Sequence, residues 1–268
     1  VPAVTSLLAR TLSLPPARRA ARFAADWIDL QWSQVIRQLT MAAPRAHGRL
    51  LDVGCGNKPY EHMFLPYVSE YIGIEHEGSF AQTHAANAER APDYYYDGDK
   101  LPFPDQSFDT VLSVQVLEHT PQPQRLLNEM ARVLREDGLL ILTAPFSFRL
   151  HEEPHDYFRF SPHGLRSMAN EAGLEITETW NQGDLWSVVA HKINSFLAFK
   201  VMAVQSVAQT MGKLKHESTA SSAGRLWLVP FVVPSMAVLS GAARILDRIA
   251  PDGTEALSFT ILARRRKR

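Results

Sequence analysis

Leu50-Leu51-Asp52-Val53-Gly54-Cys55-Gly56-Asn57-Lys58-Pro59 is an apolar run that enters a turn with two glycines, and Tyr71-Ile72-Gly73-Ile74-Glu75 is a second apolar run ending in a carboxylate. Runs of this length bounded by glycine read as buried strands. Strand, glycine turn and a second strand closed by an acid about 20 residues on form a nucleoside-binding half-site. The glycines let the backbone approach the ligand, and the acid accepts from both ribose hydroxyls. A dinucleotide fingerprint carries a third glycine where this chain has Pro59. Proline removes an amide and blocks the close helix approach that a pyrophosphate uses, so a ligand without phosphate fits better.

Outward from this half-site, strands and helices alternate. Strands are predicted over 49–53, 71–74, 94–96, 110–114 and 139–143, with helices around 59–67, 79–89 and 123–135. Such alternation specifies a parallel sheet with right-handed crossovers. Gly138 reads as the helix stop before the fifth strand. Ser161-Pro162 starts a further helix ending at Gly173, Leu174 to Trp180 reads as a sixth strand, and Ala256 to Ala263 is the candidate for the last. Ahead of the core, Pro15-Pro16 start a helix running to about Met41, with Ile28, Trp32, Val35, Ile36 and Leu39 at helical spacing. The expected organisation is an N-terminal helical cap (1–45), a core (46–184), a helical insertion (185–252), and the last core strand with a basic tail (253–268).

The 268 residues suit one α/β domain with additions, and 28 basic side chains balance 28 acidic ones. A chain without net charge has no global field to draw nucleic acid, so no nucleic-acid partner is expected, although Arg264-Arg265-Arg266-Lys267-Arg268 forms a local basic tail. The single cysteine, Cys55, excludes an intramolecular disulfide and suits a reducing compartment. Arg10, Pro15, Pro16, Arg18 and Arg19 interrupt any apolar leader. The expectation is a cytoplasmic protein.

The insertion begins amphipathically, with Ile193, Leu197, Val204, Ala208 and Met211 on one face, and Lys213 to Gly224 reads as a loop. Leu226 to Ala243 then carries no charge, which approaches the roughly 20 apolar residues of a spanning helix. Pro230, Pro234 and small residues argue against spanning. A lid packed on the core or on a second copy in a homodimer is expected, with contact of 226–243 with the inner membrane face as the other reading.

Tyr96-Asp97-Gly98-Asp99-Lys100-Leu101-Pro102-Phe103, then Phe108-Asp109 and Leu117-Glu118-His119, complete the motif set. Together with the glycine turn they resemble the class I S-adenosylmethionine-dependent methyltransferases, in the subgroup whose core reads acid, Leu-Pro-Phe, Phe-Asp, Leu-Glu-His. The resemblance runs from about Leu50 to Trp180. It implies an α/β, Rossmann-like, doubly wound and mainly parallel sheet with a final antiparallel strand, to which cap and insertion are added. It further implies S-adenosylmethionine as cofactor. Asp52, Gly54 and Gly56 would shape the loop around its methionine portion, with Cys55 in the same loop. Glu75 would bind the ribose, His76 flank the adenine and Asp97 face its amino group, while Gln115 lies near the amino-acid end. The family loop often has a third glycine where this chain has Lys58.

Ligand crevices in parallel sheets lie beyond the carboxyl ends of the strands. After the fifth strand the chain reads Ala144-Pro145-Phe146-Ser147-Phe148-Arg149-Leu150-His151-Glu152-Glu153-Pro154-His155-Asp156-Tyr157-Phe158-Arg159. His151 to His155 matches the His-Glu-x-x-His zinc pattern, which needs a helix to put both imidazoles on one face. Pro154 breaks that helix, so no metal ligand is assigned, with magnesium on the carboxylates as the minor alternative. His155 is the first choice and His151 the second for a base that removes an acceptor's proton. The expected activity is methyl transfer to oxygen or nitrogen of a small or amphiphilic acceptor, a sugar or lipid-linked glycan among them. A nicotinamide oxidoreductase and a non-catalytic membrane-associated binding module are the competing readings.

Overall fold

A computed structural model of the chain describes residues 26–78, 91–98, 100–198 and 228–266. The predicted helix over 79–89 and the loop over 213–224 lie outside the described residues. Contacts divide the chain into two compact units; the described part of the first is 35–78, 91–98, 100–182 and 257–266, and of the second 26–34, 183–198 and 228–256.

The first unit is built on a seven-stranded sheet. Its strands are β1 (Arg49–Val53), β2 (Glu70–His76), β3 (Tyr94–Tyr96), β4 (Phe108–Val114), β5 (Leu134–Pro145), β6 (Leu174–Gln182) and β7 (Ser258–Arg265). Their order is β3-β2-β1-β4-β5-β7-β6, with β7 antiparallel to both its neighbours and the other pairs parallel. Leu50 stands beside Tyr71 on one side and Thr110 on the other. Strand order therefore reverses at β1, which puts a crevice at the carboxyl ends of β1 and β4, where ligands of open α/β sheets bind. The central strands are continuous apolar runs because both faces are covered: Leu50, Leu51, Val53, Val111, Leu112, Leu140, Ile141 and Leu142 are all buried.

The sheet is covered in part by the C-terminal half of α1 (Leu30–Ala42), whose Val35, Leu39 and Ala42 join Leu50, Leu112 and Ile141 in one apolar cluster. The predicted helix at 59–67 is only the short α2 (Glu61–Phe64). In α3 (Pro123–Val133), proline at the start and the buried Leu126, Leu127, Met130 and Val133 define the inner face. Ser161 caps α4 (Pro162–Glu171) by accepting from the Gly164 amide at 3.1 Å.

Gly138 does not stop a helix, contrary to the sequence expectation. α3 ends at Val133, the strand begins at Leu134, and Asp137 takes the left-handed conformation at φ 59°. Leu134 pairs with Phe108 and Leu139 with Thr110, so the charged 135–138 segment is an irregularity within β5.

In the second unit, α5 (Leu185–Phe196) and α6 (Val229–Ile249) are tied by polar contacts. The Asp247 carboxylate accepts from the Trp186 and Ser187 amides at 3.1 and 3.2 Å, neutralising donors at the start of α5. Asn194 donates to Ser240 at 2.8 Å, and Arg244 stacks 4.5 Å from the Trp27 ring. α6 is long and apolar enough to cross a membrane by length and composition, with Pro234 inside it. Phe231, Val238, Ile245 and Ile249 are exposed along it.

Candidate active site

The loop after β1 is held over β2 by the Gly54 and Cys55 amides, which reach the Ile74 carbonyl at 2.9 and 3.2 Å. Gly54 has φ 74°, and a Cβ there would stand 2.4 Å from Cγ2 of Val116, the second residue after β4. The loops after β1 and β4 thus meet at the reversal point. Gly56 has φ 50°, and among the described residues an ideal Cβ there meets nothing within 4 Å, so they leave open space on that side of the turn. Lys58, in the position of the family's third glycine, takes the left-handed conformation itself at φ 49°. Its ammonium pairs with Asp93 at 2.6 Å, which offsets the backbone cost of about 1 kcal/mol.

Glu75 closes the half-site. It is buried near the carboxyl end of β2, and its oxygens accept from the Gly56 amide at 2.7 Å and the His76 amide at 2.9 Å. Asp52 lies beneath the turn, where the Tyr71 phenol donates to it. Burial pushes the Asp52 carboxyl up to about 7, with the Tyr71 hydrogen bond opposing. The buried Cys55 thiol is raised far above its usual range by burial and by Asp52, so it is no nucleophile at neutral pH. The His76 ring meets Tyr96 edge-on at 5.9 Å, and Asp97 is exposed just past β3. Gln115 follows β4 directly at φ 56°; its amide and side-chain nitrogen both reach the Thr143 hydroxyl, at 3.1 and 3.0 Å. Asp52, Gly54, Gly56, Glu75, His76, Asp97 and Gln115, the positions marked by the sequence resemblance, all sit at or just past the carboxyl ends of β1 to β4. Thr143 and Tyr71 were missed by the sequence reading, because their partners are set by strand register.

The Leu-Pro-Phe motif is a clamp. Arg132 of α3 donates to the carbonyls of Leu101 and Phe103 at 3.0 and 2.9 Å and to Asp105 at 2.7 Å, while Glu129 accepts from the Leu101 amide at 2.9 Å. Phe103 sits edge-on between Tyr94 and Phe108.

The loops after β4 and β5 are zipped together. The Tyr157 amide donates to the Glu118 carbonyl at 2.8 Å, and His119 Nδ1 lies 2.7 Å from the His155 carbonyl. His151 packs edge-on against His119 at 4.7 Å, with its Nδ1 3.2 Å from Asp156 Oδ2. Arg159 grips Asp156 with two hydrogen bonds of 2.6 and 2.8 Å. Burial opposes ionisation of Asp156, but Arg159 and the His151 amide outweigh it and hold the carboxyl near 2. Burial and the neighbouring His119 lower the His151 imidazole. His155 is exposed, its Nδ1 3.1 Å from the Tyr157 hydroxyl. Glu118 is fully buried and burial pushes its carboxyl up to about 8. One donor atom each from Glu118, His119 and His151 lie within 4.8 Å of one another, a grouping with metal-ligating character. Sequence spacing hides it, because 118–119 and 151 meet only through the sheet.

Residues 51–142 match the methyltransferase domain family. An uncharacterized methyltransferase of Mycobacterium leprae is 36% identical over 132 residues, 48% of each chain. The uncharacterized methyltransferase YcgJ of Bacillus subtilis is 30% identical over 141 residues, 49% of this chain and 54% of its own. The chain thus spans about half the length of the curated relatives it matches. Among solved structures, a chain of the complex between the Haloferax volcanii Trm112 methyltransferase activator and its methyltransferase superposes with a TM-score of 0.55 at 18% identity, covering 92% of this chain and 96% of its own. The [4+2]-cyclase SpnF gives 0.51 at 22%, covering 88% and 83%. At these identities the likeness is one of fold, and a cyclase among the neighbours shows that the fold by itself does not name the reaction.

Proposed function

We propose that the chain is a class I S-adenosylmethionine-dependent methyltransferase, a reading supported by the methyltransferase domain matched over residues 51–142 and by the sheet order, and that it moves a methyl group from S-adenosylmethionine to an oxygen or nitrogen of a small or amphiphilic acceptor, sugars and lipid-linked glycans included. The observation that carries the reading is the open side of Gly56 beside the buried Glu75 carboxylate, a cradle for an uncharged ribose in a turn whose Lys58 is already paired with Asp93. Glu75 would accept from the ribose hydroxyls, His76 would line the adenine, Asp97 would take its amino group, and Asp52, Gly54, Gly56 and Gln115, with Cys55 in the same loop, would shape the amino-acid end.

When bound, the cofactor supplies a methyl carbon on a positively charged sulfur: an acceptor lone pair forms the new bond to carbon as the carbon–sulfur pair returns to sulfur. The chain's task is orientation and proton removal. His155 is assigned the acceptor's proton, with its exposed imidazole steadied by Tyr157, and His151 is the second choice. The exposed stripe of α6 supports contact with an apolar or membrane-borne partner from the cytoplasmic side.

The test is release of S-adenosylhomocysteine across an acceptor panel. His155→Ala is expected to lower kcat by about 100-fold with cofactor affinity unchanged. Unaltered turnover in that variant would remove His155 from the mechanism, and a folded chain that never releases the product with any acceptor would defeat the reading.

A further inference from the structure

We propose that Glu118, His119 and His151 bind one divalent transition-metal ion of the zinc class. The first observation is the carboxylate. Glu118 is completely buried, and among the described residues neither of its oxygens has a hydrogen-bond partner. The other buried acids of this region are supplied: Asp52 by Tyr71, Glu75 by two amides, Asp156 by Arg159. A buried carboxyl without a hydrogen-bond partner costs free energy even when it is neutral, and a bound cation would both satisfy it and restore its charge.

The second observation is how the histidines are held. His119 Nδ1 faces the His155 carbonyl, and His151 Nδ1 faces the Asp156 carboxylate and the Arg149 carbonyl. These partners only accept, so each ring carries its proton on Nδ1 and presents a lone pair at Nε2. A carboxylate or carbonyl behind each ligating imidazole is the outer shell that metal-binding histidines use, and Arg159 fixes the Asp156 member of it.

Distance agrees with both. Donors bound at about 2 Å on opposite sides of an ion stand at most about 4 Å apart. His119 Nε2 is 3.8 Å from Glu118 Oε1, and one ring nitrogen of His151 lies within 4.8 Å of the ligand atoms of the other two, so shifts of about 1 Å bring all three residues to one ion. Two nitrogens and one oxygen suit zinc, manganese or ferrous iron and disfavour magnesium and calcium, which take oxygen. The exposed Glu152 carboxylate, 3.9 Å from His119 Nε2, marks the outer side. Three protein ligands leave a position for an acceptor oxygen. That second step rests on the methyl-transfer reading: the ion holds and acidifies the acceptor, His151 is committed to the ion, and His155 remains as the base. Binding of the ion does not depend on it.

The experiment uses the full chain, stripped with a chelator and dialysed against Zn2+ or Co2+, with bound metal counted by elemental analysis and affinity measured against a chromophoric chelator. One ion per chain is expected, with a raised Tm and the strong visible bands of four- or five-coordinate Co2+, undisturbed by excess Mg2+. Glu118→Gln, His119→Ala and His151→Ala are each expected to weaken Zn2+ at least about tenfold, and Asp156→Asn about tenfold through its histidine, whereas His163→Ala leaves it unchanged. No retained zinc, equal retention by the three ligand variants, or a six-coordinate aquo-like Co2+ spectrum would overturn the site; the last needs no variant to fold. Calorimetry with S-adenosylmethionine on the same samples separates the two claims, since either ligand can bind without the other.

Discussion

Gly54 and Gly56 share one turn but answer to different constraints. Gly54 is both left-handed and pressed against Val116, so Gly54→Ala should destabilise the chain by about 3 kcal/mol in urea unfolding. Gly56 is left-handed but faces open space, so Gly56→Ala should cost only about 1 kcal/mol in stability while markedly weakening the cofactor, which calorimetry reads. Asp52 gives a pH signature. Its folded carboxyl titrates near 7 against an ordinary 3.8, so between these values the folded state holds a proton that the unfolded state has released, and stability falls as pH rises. Asp52→Asn should flatten that slope and leave the variant more stable than the parent at pH 8, by a few kcal/mol. Denaturation curves from pH 4 to 8 check it; equal slopes in both proteins would deny the buried charge. At this scale the glycines and Glu75 were readable because their chemistry is local. The burial of Glu118 and the pairing of Asp156 with His151 and Arg159 were not, since nothing in a run of charged letters says which carboxylate faces inward.

Elements position these residues through a few cross-links. Arg132 on α3 holds the backbone of the Leu-Pro-Phe segment at two carbonyls and at Asp105. Arg132→Met keeps the aliphatic stem and removes those bonds, so a loss of about 3 kcal/mol is expected together with weaker cofactor binding through the adjoining Asp97 loop. Thermal and calorimetric titrations of one sample measure both. The motif's strength in sequence thus comes from a structural clamp, and its cofactor meaning is indirect. Strand positions were legible because parallel strands buried on both faces are unbroken apolar runs. The junction of α3 and β5 was not: Arg135-Glu136-Asp137-Gly138 has the composition of a helix end, yet β5 starts ahead of it and accommodates it as an irregularity. Pairing with β4 and β7 overrides the local preference there.

Across the molecule, the strand order reverses at β1 and opens the candidate site there; the alternation of elements made the mainly parallel sheet legible in the sequence, but not the order of its strands. Contacts that divide the chain into units were less legible, because an amphipathic helix declares that it has a buried face without declaring against what. The α6 stripe of Phe231, Val238 and Ile245 recurs every seven residues and stays exposed, with Val238 at 73%. Val238→Glu combined with Ile245→Glu should leave Tm nearly unchanged and abolish co-sedimentation with anionic vesicles; persistence of vesicle binding would move the contact elsewhere. The central claim is that the turn at Gly54–Gly56 and Glu75 encloses a phosphate-free adenosine. Isothermal titration of the parent chain and of Glu75→Ala with S-adenosylmethionine, and separately with a nicotinamide dinucleotide, tests it most directly. Heat with the sulfonium compound alone, lost in Glu75→Ala, is the predicted result; heat with the dinucleotide and none with S-adenosylmethionine would contradict the account.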